Sequence, residues 1–191
     1  MRYFTIDTLG DLHDKHLCVL HAMPSPIGAE YVALVRGHPT SHLDLSALTM
    51  ATSPEVEGRE LQDLVGNTTN FLIGSPRLVE ALRARDRGPT EYVPFTLLDE
   101  NQRVLSKELS FVNPLTVLDA LHRDASDILY FKATQRIIKV RKAVLDARAL
   151  SDAPALFRVE HDRPKYVVDE PTGEALRTSC TNVRLTPVEI A

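Results

Sequence analysis

Four residues of zinc-ligand type fall within nine positions: His13, His16, Cys18 and His21, spaced H-x2-H-x-C-x2-H. Zinc takes four such donors in a tetrahedron. Ligand-type residues usually arrive as separated pairs on defined turns, whereas this set runs into Leu17–Leu20, which reads as a buried strand. Alternation there aims Cys18 away from Leu17 and Val19. Surface histidines and a buried thiol are the expectation, with no metal ligand assigned. His38 and His42, with Asp44, have the types of a general base and its orienting carboxylate. No nucleophile elbow accompanies them and no G-x-S-x-G occurs, so they read as solvated loop residues. Gly74-Ser75-Pro76-Arg77 opens a helix, whose first N–H groups can bind an anion. Pro76 removes one donor and no P-loop lysine follows, which leaves helix capping. Cys180 has only Thr178, Ser179 and Thr181 beside it, nothing that lowers a thiol pKa. No catalytic, cofactor-binding or metal-binding residue is assigned, and no cofactor.

Two basic clusters stand out: Arg77, Arg83, Arg85 and Arg87, then Arg136, Lys139, Arg141 and Lys142. Arg83 and Arg87 share a helix face and are balanced by Glu80 and Asp86. Lys139 and Arg141 fall on the solvent side of a strand. Both clusters read as solvated faces. With no Trp and 6% aromatic residues, stacking platforms for single strands are poorly supplied.

The elements that must position these residues are short. Strands are predicted at Tyr3–Ile6, Leu17–Leu20 and Tyr31–Val35, with a Pro24/Pro26 loop between the last two. A helix is predicted over 54–65, capped by Ser53, started by Pro54, striped by Leu61, Leu64 and Val65 and ended by Gly66. Asn70–Ile73 reads as a strand, then Ser75-Pro76 starts a second helix striped by Leu78, Val79 and Leu82. Tyr92–Leu98 is a strand whose Pro94 demands an edge or a bulge. Leu109–Val112 is another. Ile128–Phe131 and Ile137–Val144 form a hairpin, with Ile138, Val140 and Val144 on one face. Ala155–Val159 and Tyr166–Val168 form a second. Asn113–Leu121 is ambiguous, with extended chain favoured by its neighbours. The stretch from Leu72 to Val93-Pro94 is echoed by that from Val167 to Leu185–Val188: strand, turn, proline-started helix, strand. A duplicated unit or shared helix-start grammar both account for it.

The chain has 191 residues, 43% hydrophobic and 25% charged, which suits one globular domain over 1–191 and excludes a largely disordered chain. Twenty-two Lys and Arg stand against 26 Asp and Glu, a net charge of -4. That balance argues against a nucleic-acid binder. Two cysteines cannot build a disulfide framework. No secretory leader, lipidation signal or bilayer-length apolar run is read, so no membrane partner is expected and the expected address is cytoplasmic. The expected fold class is α+β, mainly antiparallel sheet with a few short helices packed on it.

From Asn70 to the C-terminus the order of segments resembles the myxobacterial-type immunity protein family of bacterial polymorphic toxin systems. The resemblance rests on Asn70-Phe71-Leu72, Glu91-Tyr92-Val93-Pro94-Phe95, Phe111-Val112-Asn113-Pro114, Val117–Leu121 and Ser126. It continues through Ile137–Leu145, Ala155–Arg158, Tyr166–Val168, the Glu174–Arg177 helix and Val183–Leu185. Residues 1–50 match least. The resemblance implies a small α+β protein that binds and neutralises a cognate toxin protein, and it carries over no catalytic residue. Asn113, Asp119 and Ser126, the polar positions of the matching stretch, read as turn or cap residues. The net charge mildly favours a basic toxin. Two other functions stay open: a small hydrolase-like enzyme using His38 or His42 with a carboxylate, and a homo-oligomeric scaffold.

Overall fold

Alternating apolar residues sort this chain into layers. The computed structural model describes residues 1–53 and 57–191. The described chain opens with β1 (Tyr3–Asp7) and β2 (Val19–Leu20). A 3-10 turn at Gly28–Tyr31 leads into α1 (Val32–Arg36), followed by β3 (Thr49–Ala51), β4 (Gly66–Asn67) and β5 (Ile73–Gly74). Then come α2 (Pro76–Arg83), β6 (Thr90–Pro94), β7 (Thr96–Leu98), β8 (Val104–Ser106), β9 (Ser110–Pro114) and β10 (Val117–Leu118). The hairpin β11 (Asp127–Phe131) and β12 (Arg136–Lys142) precedes β13 (Val144–Leu145), β14 (Leu156–Val159) and β15 (Tyr166–Asp169). The chain ends with α3 (Glu170–Ser179) and β16 (Arg184–Ile190). Among the described residues this is an α+β arrangement of many strands and three short helices. Most pairings are antiparallel, and the six-stranded sheet is mixed, because β10–β14 and β13–β16 run parallel.

Three apolar clusters alternate with two of the sheets. In the β5–β9–β6 sheet, Ile73, Phe111 and Val93 face the first cluster, while Val112 and Tyr92 face the second. In the sheet β10–β14–β15–β1–β16–β13, Phe4, Leu156 and Val168 face that second cluster, and Tyr3, Phe157 and Val167 face the third. Successive strand side chains point to opposite faces, so each sheet buries both. The second cluster also takes Leu78, Val79 and Leu82 of α2 and Leu176 of α3. The two helices thus pack together between two sheets.

The strand–helix–strand echo is realised twice with one topology. β5 and β6 both run antiparallel to β9, which lies between them, and α2 connects them. β15 and β16 both run antiparallel to β1, which lies between them, and α3 connects them. Each unit carries one more antiparallel neighbour, Leu64 beside β5 and β14 beside β15. Both helices start as the sequence specifies. The Ser75 hydroxyl accepts from Leu78 N–H at 3.3 Å, and the Asp169 carboxylate from Thr172 N–H at 2.9 Å.

Several elements differ from expectation. Tyr31–Val35 is not a strand: Tyr31 ends the 3-10 turn and Val32–Arg36 is helical. A five-residue apolar run does not distinguish the two by period. Gly37, at φ 70°, ends α1. Residues 57–65 of the expected 54–65 helix are not helical, and 54–56 lie outside the described residues. Leu64 faces the second cluster and Val65 the first, a period of two, and Val65 N–H donates to Ile73 O at 3.1 Å. Only Val19–Leu20 of the 17–20 strand pairs as a strand. The Tyr92–Leu98 run breaks at Phe95 into strands of two sheets, with Pro94 exposed at the end of an edge strand. In β12 a register shift leaves Ile138 without an opposite residue and 57% exposed, so it does not share the buried face of Val140, and Val144 belongs to β13.

Candidate functional site

The H-x2-H-x-C-x2-H residues do not converge. Cys18 points into the first cluster, whereas His13, His16 and His21 are exposed. His21 Nδ1 instead meets the Thr68 hydroxyl at 3.2 Å. Among the described residues no three His, Cys, Asp or Glu side chains form a metal-type group. Burial pushes both thiols up, Cys18 and Cys180 alike, which keeps them protonated and poorly nucleophilic near neutral pH. Asp44 binds the Ser46 hydroxyl at 2.7 Å, and that bond with the Ser46 N–H holds its carboxyl below the usual range. His42 lies 3.8 Å from Glu30, not against Asp44. The N-terminus of α2 holds a carboxylate of the chain itself: Ser75 Oγ donates to Asp63 Oδ1 at 2.6 Å.

His38 has a different setting. It lines a cleft of about 610 Å³ together with Arg36, Arg123, Arg136, His161 and Arg163. Glu160 is the one acid in the lining. The four arginines come from the end of α1, the turn after β10, the start of β12 and the turn between β14 and β15. Arg163 bridges two neighbours, meeting His38 Nε2 at 3.2 Å and Glu160 Oε2 at 2.7 Å. A guanidinium can only donate, so His38 Nε2 accepts there. Its lone pair is therefore engaged, and no serine, threonine or cysteine lines the cleft.

The walls of this cleft hang on one buried cation. Arg158 in β14 has no solvent exposure, and its guanidinium lies 4.2 Å from the centre of the Tyr166 ring. All five of its N–H donors are used. Nε donates to Pro114 O at 3.2 Å. Nη1 donates to Val35 O at 2.7 Å and Arg163 O at 2.6 Å. Nη2 donates to Leu34 O at 2.9 Å and Asn113 Oδ1 at 3.4 Å. The side chain thus clamps the C-terminal carbonyls of α1, which carries Arg36, to the turn that carries Arg163. Its charge is answered one residue away. Asn113 Nδ2 donates to Glu91 Oε2 at 3.0 Å and to His38 O at 3.0 Å, and Glu91 accepts from Thr40 N and Oγ1. Asn113 is therefore a buried strand residue in a polar network, not a turn or cap residue. Ser126 does serve a turn, donating to His122 O at 2.7 Å.

Beside the cleft stands the β11–β12 hairpin. Ile128, Ile137 and Val140 pack inward on the third cluster. Leu129, Phe131 and Ile138 are 40%, 53% and 57% exposed. Phe131 lies opposite Arg136 in the register and Leu129 opposite Lys139, so an apolar strip alternates with cations and runs into the cleft at Arg136. Of the basic residues singled out in sequence, Arg136 alone joins the cleft; Arg36, Arg123 and Arg163 carry no sequence signal that groups them. Among the described residues no helix is long and apolar enough to cross a membrane. No family model and no curated protein matches the chain.

Proposed function

We propose that this chain is a binding protein that neutralises a toxin by direct protein–protein contact. The observation that carries the reading is the hairpin, where Leu129, Phe131 and Ile138 are exposed and Arg136 and Lys139 lie opposite Phe131 and Leu129. Exposed apolar groups ringed by polar ones mark interaction surfaces. An aromatic flanked by arginine is the usual make-up of an energetic centre. A stable contact needs about 800 Å² per partner, and the hairpin with its neighbouring cleft offers a face that can grow to that size. The resemblance to immunity proteins of polymorphic toxin systems points the same way.

The test expresses the product of the adjacent reading frame with and without this chain. The expected result is toxicity abolished through a stoichiometric complex, with Kd raised at least tenfold by Phe131→Asp, an exposed position where the fold should tolerate charge. No toxicity and no complex would sink the reading. A second reading, a hydrolase using His38, draws on the place of that residue in the same cleft as Glu160, and it requires Arg163, which stands between the two, to release Nε2. Turnover of a small substrate that His38→Ala abolishes would establish it.

A further inference from the structure

The cleft and the hairpin face differ sharply from the chain as a whole. The protein is net negative, yet four arginines and two histidines line this one concavity against a single glutamate. Only Arg163 of the four has a carboxylate within 4.0 Å; Arg36, Arg123 and Arg136 make no ion pair among the described residues. Cations gathered from four separate segments repel one another and gain from an anion placed between them. Arginine forks suit carboxylates, which they bind in pairs of parallel hydrogen bonds.

Two features favour a protein carboxylate over a nucleic-acid phosphate. Arg136 lies opposite the exposed Phe131, and Lys139 opposite Leu129 and next to Ile138, so one wall of the cleft continues into apolar groups that match the side chains of a peptide rather than a run of phosphates. The overall charge of -4 opposes a long polyanion more than a short acidic segment.

Resting on the binding role proposed above, we infer that the cleft between α1, the β11–β12 hairpin and the 160–164 turn receives an acidic segment of the protein partner. Its carboxylates pair with Arg36, Arg123, Arg136 and Arg163 while its apolar residues lie on the hairpin. The partner is then acidic at its contact, the opposite of what whole-chain charge suggests.

The test titrates the intact chain with a fluorescein-labelled octaglutamate peptide, its octaglutamine counterpart and a single-stranded oligonucleotide of equal charge. The expected result is saturable binding of octaglutamate only, weakened at least tenfold by the exposed double variant Arg123→Glu/Arg136→Glu, whose urea midpoint matches the wild type. Tighter binding of the oligonucleotide overturns the inference in favour of a nucleic-acid surface, and binding of neither overturns it outright. The same double variant is then assayed against the adjacent reading frame's product. A complex lost with Phe131→Asp but intact with the double variant leaves the binding role standing and removes the acidic segment. No complex with any version removes the binding role itself, while the octaglutamate result still reports on the cleft.

Discussion

Replacing Arg158 by Met removes five hydrogen-bond donors from a side chain with no solvent exposure. The methionine fills much of the volume but leaves four main-chain carbonyls and the Asn113 oxygen without this partner. At about 1 kcal/mol for each acceptor, the low end of the range for an orphaned buried group, the loss is about 5 kcal/mol. Relief of the guanidinium's own desolvation offsets part of that, and removal of one member of a buried charged arrangement typically costs about 3–5 kcal/mol. We expect Arg158→Met to lose about 3–5 kcal/mol, a large part of the roughly 5–15 kcal/mol available to a domain. Arg158→Lys keeps the charge but offers three donors in place of a planar fork of five, so a loss of about 2–3 kcal/mol is expected. Urea unfolding followed by circular dichroism, extrapolated linearly, measures both. A loss below about 1 kcal/mol for the methionine variant would show that the clamp does not hold α1.

Other consequences follow from particular contacts. Gly37→Ala places a Cβ 2.7 Å from Pro114 O and 2.8 Å from Arg158 Cδ at φ 70°, so it should destabilise by more than about 1 kcal/mol in the same urea assay. Asn67→Ala removes the carboxamide that donates to Phe71 O at 2.7 Å and accepts from Phe71 N at 2.9 Å in a buried turn; a loss of about 2–3 kcal/mol is expected from the shift in urea midpoint. Asp63 has a lowered pKa: burial, the largest influence, pushes it up, but bonds from Ser75 and Thr181 outweigh burial. Its contribution is therefore complete above the unfolded value of about 3.9 and is lost as pH falls through the lower folded value. Asp63→Asn should be less stable than wild type at pH 7, with the gap closing below about pH 4 in thermal melts across pH.

What could be read from the sequence was local. Ser75-Pro76 and Asp169 with Pro171 set both helix starts, because capping is decided within four residues. The β11–β12 and β14–β15 pairings were legible from alternation and the turns between. Tyr31–Val35 was not, since buried helix and buried strand share one apolar signature over five residues. Leu64 and Val65 fit a helical stripe as adjacent apolar residues, and only the apolar clusters on both sides of the segment distinguish that from extended chain. The cleft was illegible for a deeper reason. Arg36, Arg123, Arg136 and Arg163 meet only through tertiary structure, and Arg158, which arranges two of them, reads as one more charged residue in a hairpin strand.

The location of the cleft follows from how the two β-α-β units use their surfaces. The sheets that order their strands pack clusters on both faces, and their helices bury Leu78, Val79, Leu82 and Leu176 between them. The cleft is built from segments outside those units: α1, the 122–126 turn and the hairpin, with the β14–β15 turn at the edge. Such segments need an anchor in the core, and Arg158 reaches from β14 to α1 and to the 163 carbonyl at once. This separates two kinds of variant. Arg123→Glu/Arg136→Glu should lower octaglutamate affinity with no change in urea midpoint, because both side chains are exposed. Arg158→Lys should lower the midpoint and the affinity together, although it touches no ligand, because Arg36 and Arg163 lose their shared clamp. A folded Arg158→Lys protein with a lowered midpoint and wild-type affinity would show that the cleft is set by its own residues and not by the buried arginine beneath it.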